Sequence, residues 1–223
     1  MIGRNVRLLA ALVSALTLVV ACGDDDAATT TVDGVEVGGS APARGEIAWP
    51  APPADQVGAL TEAAGLELET REHLTYHVHA HLDVFIDGEH RTVPAGIGIV
   101  ITDPGVRTSD GLLGASYGGI SECDRPCISP LHTHDASGVI HTESATEEGN
   151  TLGQLFTEWG VRLDATCIGD HCTPETSIRI WVDGDEQPLA DAADIALTNG
   201  REIAIVIGEL PSRIPAEGDF SGA

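Results

Sequence analysis

The chain has 223 residues, with 35 acidic against 11 basic residues and a formal net charge of −24. A surface this acidic repels nucleic-acid phosphates and anionic lipid head groups, which argues against a charge-driven partner of either kind. The length suits one domain with a real hydrophobic core, and the charge is read first as a solvated extracellular surface.

At the start of the chain, Arg4 and Arg7 lead into an apolar stretch from Leu8 to Val20. That stretch is too short and too poorly flanked for a spanning helix, and it has the pattern of an export signal. It closes on Val19-Val20-Ala21-Cys22, which resembles a bacterial lipobox. The resemblance covers this segment alone. It implies a lipoprotein signal peptide over residues 1–22, lipidation of Cys22, and a membrane anchor on the outer face of the cell envelope. The other reading is an ordinary cleaved signal with Cys22 as a spare thiol; both place the mature chain outside the cytoplasm. Asp24, Asp25 and Asp26 follow, and residues 23–52 are rich in Asp, Ala, Thr, Gly and Pro, as in a flexible acidic tether. A single domain over 53–212 and a tail over 213–223 complete the expected organisation.

Ala54 to Leu66 suits a short helix with Val57, Leu60 and Ala64 on one face. The first strand is predicted from about Leu74 to Ile86. Val78, Ala80, Leu82, Val84 and Ile86 alternate there with His77, His79, His81, Asp83 and Phe85. Alternation puts the first set in the core and makes the opposite face a histidine ladder ending in a carboxylate. Asp87-Gly88 supplies a hairpin turn, and a return strand is expected through Val93 and Ile97 to Ile101. Residues 102–128 read as loop. A second hairpin turns at Asp135-Ala136-Ser137-Gly138 and sets His132 opposite His141 and His134 opposite Val139, with Glu143 on the histidine face and Leu131 and Ile140 inward. A helix is predicted from a Thr151 cap through Leu152, Leu155, Phe156 and Trp159 to a Gly160 stop. Strands at Ser177 to Val182 and Glu202 to Ile207 close the domain. The expected fold class is α+β, a mainly antiparallel sheet of hairpins with one packed helix in a β-grasp-like order, an analogy that says nothing of function.

Apart from Cys22 the chain has Cys123, Cys127, Cys167 and Cys172, an even number that reads as two disulfides in an oxidising compartment. Three connectivities are open. The local pairs Cys123–Cys127 and Cys167–Cys172 are favoured over thiolate metal ligation, with or without His171.

Six of the nine histidines fall in the two short strand-like segments: His77, His79 and His81, then His132, His134 and His141. Imidazole is the commonest metal ligand, and three or four of them suit zinc, copper(II) or nickel. The sole methionine is the initiator, which argues against a soft copper(I) site. Asp83, Asp135 and Glu143 are candidate oxygen ligands or partners that fix the histidine tautomers. His73, His90 and His171 read as ordinary surface residues. The metallo-β-lactamase, histidinol-phosphatase-type, multicopper-oxidase and copper–zinc superoxide dismutase patterns each lack a residue or an architecture that they need here.

His77-x-His79-x-His81-Leu82 and Leu131-His132-Thr133-His134-Asp135-x-x-Gly138-x-Ile140-His141 together resemble a group of exported bacterial and archaeal proteins. That resemblance covers about residues 74–208 and implies a genuine domain without a specific activity. The expected function is therefore binding of a divalent transition metal, copper or zinc, by an anchored extracytoplasmic protein. Two alternatives stand beside it: a metal-dependent hydrolase or oxidoreductase with Glu143 or Asp135 as general base, and a metal-free interaction module. The membrane and a metal ion are the expected partners, and nucleic acid is not.

Overall fold

The computed structural model describes residues 45–220 apart from 121 and 147. Cys22, the apolar stretch before it and the acidic run after it lie outside the described residues. Among the described residues, no helix is long and apolar enough to cross a membrane.

The elements run α1 (Val57–Ala63), β1 (Tyr76–Ile86), β2 (Glu89–Arg91), β3 (Arg107–Gly111), β4 (Gly114–Gly118), β5 (Leu131–His132), β6 (Val139–Ser144), α2 (Leu152–Trp159), β7 (Cys167–Ile168), β8 (His171–Cys172), β9 (Ile178–Val182), β10 (Asp185–Gln187), a 3-10 helix (Leu189–Asp194) and β11 (Arg201–Ile207). The main sheet has the order β10-β9-β11-β1-β6-β5. β1 is the long central strand. β11 lies parallel to it from Ala80 onward, while β6 and then β2 run antiparallel along its other edge. The fold is thus mixed α+β, and the sheet, mainly antiparallel as expected, is mixed through the one parallel pairing of β1 with β11. Strands far apart in sequence have no turn signal to announce a parallel pairing.

Alternation along β1 places Ala80, Leu82 and Val84 in the main core with Leu131, Ile140, Ile180, Ile203 and Ile205. α2 covers that face with Leu152, Leu155, Phe156 and Trp159. Its ends follow from side-chain and backbone chemistry. Thr151 and Gln154 form a reciprocal capping box, and Gly160 takes the left-handed conformation that stops the helix. Among the described residues two α-helices pack here where one packed helix was expected: Gln154 of α2 donates from Nε2 to the Ala64 carbonyl just past α1. The opposite face of the sheet buries Phe85, Trp181, Ala204 and Val206 under Ile214. Trp49 packs edge-on against Trp159 and accepts its indole N–H at the carbonyl.

Two segments depart from the sequence expectation. Residues 97–101 form no strand, only an isolated bridge from Ile99 to Ile128. Gly96 and Gly98 have φ of 86° and 72°, which breaks extended backbone. Residues 107–118, expected as loop, form the β3–β4 hairpin, exposed along β3 and without a buried residue in β4. Its residues lack the apolar alternation that marks a half-buried strand. Beneath these loops a second small core gathers Ile99, Val106, Ile120 and Ile128 around Cys123 and Cys127. The disulfides are Cys123–Cys127 and Cys167–Cys172.

Candidate metal centre

Three neighbouring strands bring the site together. In the ladder, His79 of β1 stands opposite His141 of β6, and His141 stands opposite His132 of β5. His77 stands opposite Glu143 in the same way. Directly opposed residues have Cβ atoms about 5 Å apart, so register alone puts three imidazoles side by side. His134 does not pair with Val139 as expected, because the ladder of β5 ends at His132 and residues 133–138 form an irregular turn. It nevertheless reaches the cluster: its ring centroid lies 4.6 Å from that of His132 and 4.5 Å from that of His141.

The segment carrying His132 and His134 is held from both sides. Thr133 is fully buried, donates through Oγ1 to the Pro94 carbonyl at 2.8 Å and accepts from the Ile97 N–H at 3.1 Å. Its own N–H and carbonyl bond Ile97 and Gly96. Gly98 permits this approach, since a Cβ there would lie 2.3 Å from the Leu131 carbonyl oxygen. Gly138, with φ of 91°, turns the chain back into β6 where a Cβ would meet the Leu82 carbonyl at 2.7 Å. Alternation of residues 131–135 then points His132 and His134 together and Thr133 away.

Tautomers follow from the acceptors. Nδ1 of His132 lies 2.9 Å from the Ser129 carbonyl, and Nδ1 of His134 meets the Tyr117 carbonyl. A carbonyl only accepts, so each Nδ1 carries the proton and each neutral ring turns a lone pair outward at Nε2. Those two Nε2 atoms stand 3.2 Å apart. Two ligands on a tetrahedral ion with bonds of about 2.0–2.1 Å are separated by about 3.3 Å. Backbone carbonyls behind ligating imidazoles are the usual device for orienting them.

Donor atoms of His132, His134, His141 and Glu143 all lie within 4.8 Å of one another, and so do those of His77, His79, His141 and Glu143. A histidine and carboxylate cluster capable of coordinating a metal is therefore present. Nδ1 of His141 and Nε2 of His77 each lie 3.2 Å from Oε1 of Glu143. The Oε2 atom of Glu143 is buried and meets no hydrogen-bond donor among the described residues. Glu72 stands at the edge, 3.8 Å from Nε2 of His134. No sequence signal marked it, since it follows an irregular segment with no periodicity.

The electrostatics favour neutral imidazoles. Burial, then the neighbouring His141 and His77, push His79 down to about 4. Burial, then His134 and His141, hold fully buried His132 well below the ordinary range. Burial also lowers His141 against the opposing hydrogen bond to Glu143. For Glu143, burial pushes upward, but the hydrogen bond and charge of His141, with His134 and His77, prevail and hold the carboxyl below its usual range. Burial and the Glu143 charge raise Glu72. Deprotonated imidazoles beside an ionised carboxylate are the states a cation requires.

Three of the residues expected here lie elsewhere. His81 stands opposite Val139 and leaves the cluster. Its Nδ1 lies 2.8 Å from Oε2 of Glu202, and its Nε2 lies 3.0 Å from the Ser137 carbonyl. Asp83 sits between that pair and His90, whose Nε2 is 2.9 Å from Oδ1 of Asp83. His90 is thus half-buried and paired, not an ordinary surface residue. His81, Asp83 and Glu202 also have donor atoms within 4.8 Å of one another, but Nε2 of His81 is committed to a carbonyl and Nδ1 to a carboxylate. Asp135 accepts from the Ser137 N–H and shapes the turn without joining the cluster. Of the remaining histidines, His73 lies 3.4 Å from Glu69, and His171 meets the Trp49 ring edge-on.

Comparison of the chain with protein-family models, with curated proteins and with solved structures finds no match.

Proposed function

We propose that this protein binds a divalent transition-metal ion, copper(II) or zinc, through His132, His134, His141 and Glu143, as a lipid-anchored protein outside the cytoplasm. One observation carries the metal reading. His132 and His134 present two unprotonated nitrogens to each other at 3.2 Å, with their other nitrogens bonded to carbonyls. Two lone pairs at that separation repel unless a cation lies between them, and burial opposes protonating His132. Four donors fill a tetrahedral shell, which favours holding or delivering an ion over an open catalytic position. The nitrogen and oxygen donor set suits zinc and copper(II) alike.

Export and anchoring are supported by Arg4, Arg7, the apolar run and the Val19-Val20-Ala21-Cys22 sequence. Two disulfides in one domain agree with an oxidising compartment. A β-grasp reading of the domain is supported by its strand order, with β1 and β11 parallel at the centre and α2 between β6 and β9.

Protein purified without a histidine tag is expected to carry copper or zinc by elemental analysis, or to take it up and keep it through gel filtration. A His132→Gln/His134→Gln variant is expected to lose more affinity than the roughly 10–100-fold that an outer-partner mutation costs. Metal-free protein that takes up neither ion ends this reading. For the anchor, Cys22→Ala is expected to move the protein from the membrane fraction to the soluble fraction, and unchanged fractionation rejects lipidation at Cys22.

A further inference from the structure

The donors in this cluster outnumber the needs of one ion. Five imidazoles, from His77, His79, His132, His134 and His141, join one carboxylate, Glu143, whereas a zinc ion closes its shell at four ligands. The donors also divide. His77 and His79 bring their Nε2 atoms to 2.8 Å, and His132 and His134 bring theirs to 3.2 Å. Each pair forms a group with His141 and Glu143, and these two residues are all that the groups share. His141 lies midway, its ring centroid 4.4 Å from that of His79 and 4.5 Å from that of His134.

We propose that the cluster is a two-cation centre, in which His77 and His79 hold one ion, His132 and His134 hold the other, and Glu143 bridges them. The inference rests on the metal reading above and extends it from one ion to two. Glu143 suits the bridge for three reasons. It is 5 % exposed at its side chain, so the cations would replace the solvation it has lost. Its Oε1 already faces His77 and His141, at 3.2 Å each. Its Oε2 is buried with no donor among the described residues, an acceptor that still needs a partner. A neutral imidazole has one lone pair to give, so His141 can serve one ion, whereas a carboxylate has an oxygen for each. Ions bridged in this way stand about 3.5–4 Å apart.

The two positions differ in access. His132 is fully buried, while the His77 side chain is 37 % exposed. The inner ion is enclosed by three strands and two carbonyl-anchored rings. The outer ion sits at the solvent rim, and it is the one that exchanges with a partner or a chelator.

The test is a titration of the untagged, full-length protein with copper(II), followed by elemental counting and electron paramagnetic resonance. Two ions per chain are expected. The isolated copper signal grows up to one equivalent and then broadens or declines toward two, as the ions couple. His77→Gln/His79→Gln removes rim residues and is expected to reduce the count from two to one and leave an uncoupled signal. Glu143→Gln is expected to abolish the coupling. Saturation at a single ion, with the count unchanged in His77→Gln/His79→Gln, overturns the two-cation centre and leaves the metal reading standing. Two ions without coupling overturn the bridge. No uptake by the wild-type chain overturns both readings.

Discussion

His79 and His81 are two residues apart on one face of one strand, yet they stand in opposite electrostatic surroundings. His79 meets imidazoles: His77 at 2.8 Å between Nε2 atoms and His141 across the ladder. His81 meets carboxylates: Glu202 at 2.8 Å and Asp83 at 3.8 Å. The first is driven down to about 4, by burial before all else. The second is raised although burial opposes it, because the hydrogen bond and charge of Glu202, with Asp83, outweigh the loss of water. Periodicity therefore decides which face a histidine occupies, while the neighbouring strand decides what that histidine is. β6 runs beside the first part of β1 and contributes a ligand-like partner, whereas β11 joins at Ala80 and contributes an acid.

The His81–Glu202 pair holds a shared proton. A carbonyl at Nε2 fixes one proton there, and the contact at Nδ1 holds a second between the ring and the carboxylate. Glu202 is itself raised to about 7, first by burial and also by Asp83. Both shifts mean that the pair binds protons more tightly than its parts do in water. The pair also supports the architecture: Glu202 and His81 are register partners where β11 first joins β1, and Gly218 of the C-terminal segment packs against both side chains.

The largest effect that would sharpen this contrast comes from Glu202→Gln. Breaking a buried pair by removing one partner costs about 3–5 kcal/mol, and Asp83 remains to moderate the loss, so roughly 3 kcal/mol is expected. Urea unfolding in the presence of a chelator measures it, with copper(II) stoichiometry read on the same variant. Stability is expected to fall and the ion count to stay at the wild-type value. A drop in ion count without loss of stability would move His81 and Glu202 into the metal centre and dissolve the contrast.

How far the sequence revealed this arrangement also divides along β1. Alternation from Val78 to Ile86 named the core face, and a turn before Val139 placed His132 opposite His141, as the ladder has it. Thr151 and Gly160 marked both ends of α2 through chemistry that is local in sequence. The loss of His81 from the cluster was not legible, because Glu202 lies 121 residues away and joins through a parallel pairing with no turn to signal it. The acceptors that fix His132 and His134 were equally hidden, since the Ser129 and Tyr117 carbonyls belong to the backbone and carry no residue signature. Asp135 failed as a cluster member for a local reason: a short carboxylate two residues before an N–H closes its own turn first.

The smaller effect is in the pH dependence of stability, where the two surroundings act with opposite sign. His79, His132 and His141 have folded pKa values below the unfolded value of 6.5. Below that pH the unfolded chain binds protons that the folded chain refuses, so their contribution is present above about 6.5 and lost as pH falls. His81 and Glu202 are raised, so theirs is present at low pH and lost as pH rises through and beyond about 7. Glu158, pushed up to about 7 by burial, acts with the pair, and so do Glu69 and Glu72, raised first by burial. Below 6.5 the lowered histidines and these raised carboxyls oppose one another, while above it only raised groups act. With metal chelated, urea midpoints are therefore expected to decline as pH rises from 6.5 to 8, with only a shallow slope on the acid side. His79→Gln removes one of the three lowered groups and is expected to make the slope of midpoint against pH below 6.5 less positive by up to one proton, less to the degree that water screens a half-exposed ring. The alkaline limb is expected to stay as it is, because the His81–Glu202 pair is untouched. Midpoints that rise steadily from pH 5 to 8 would mean that the pair holds no extra proton, and His81 would then be electrostatically equivalent to His79.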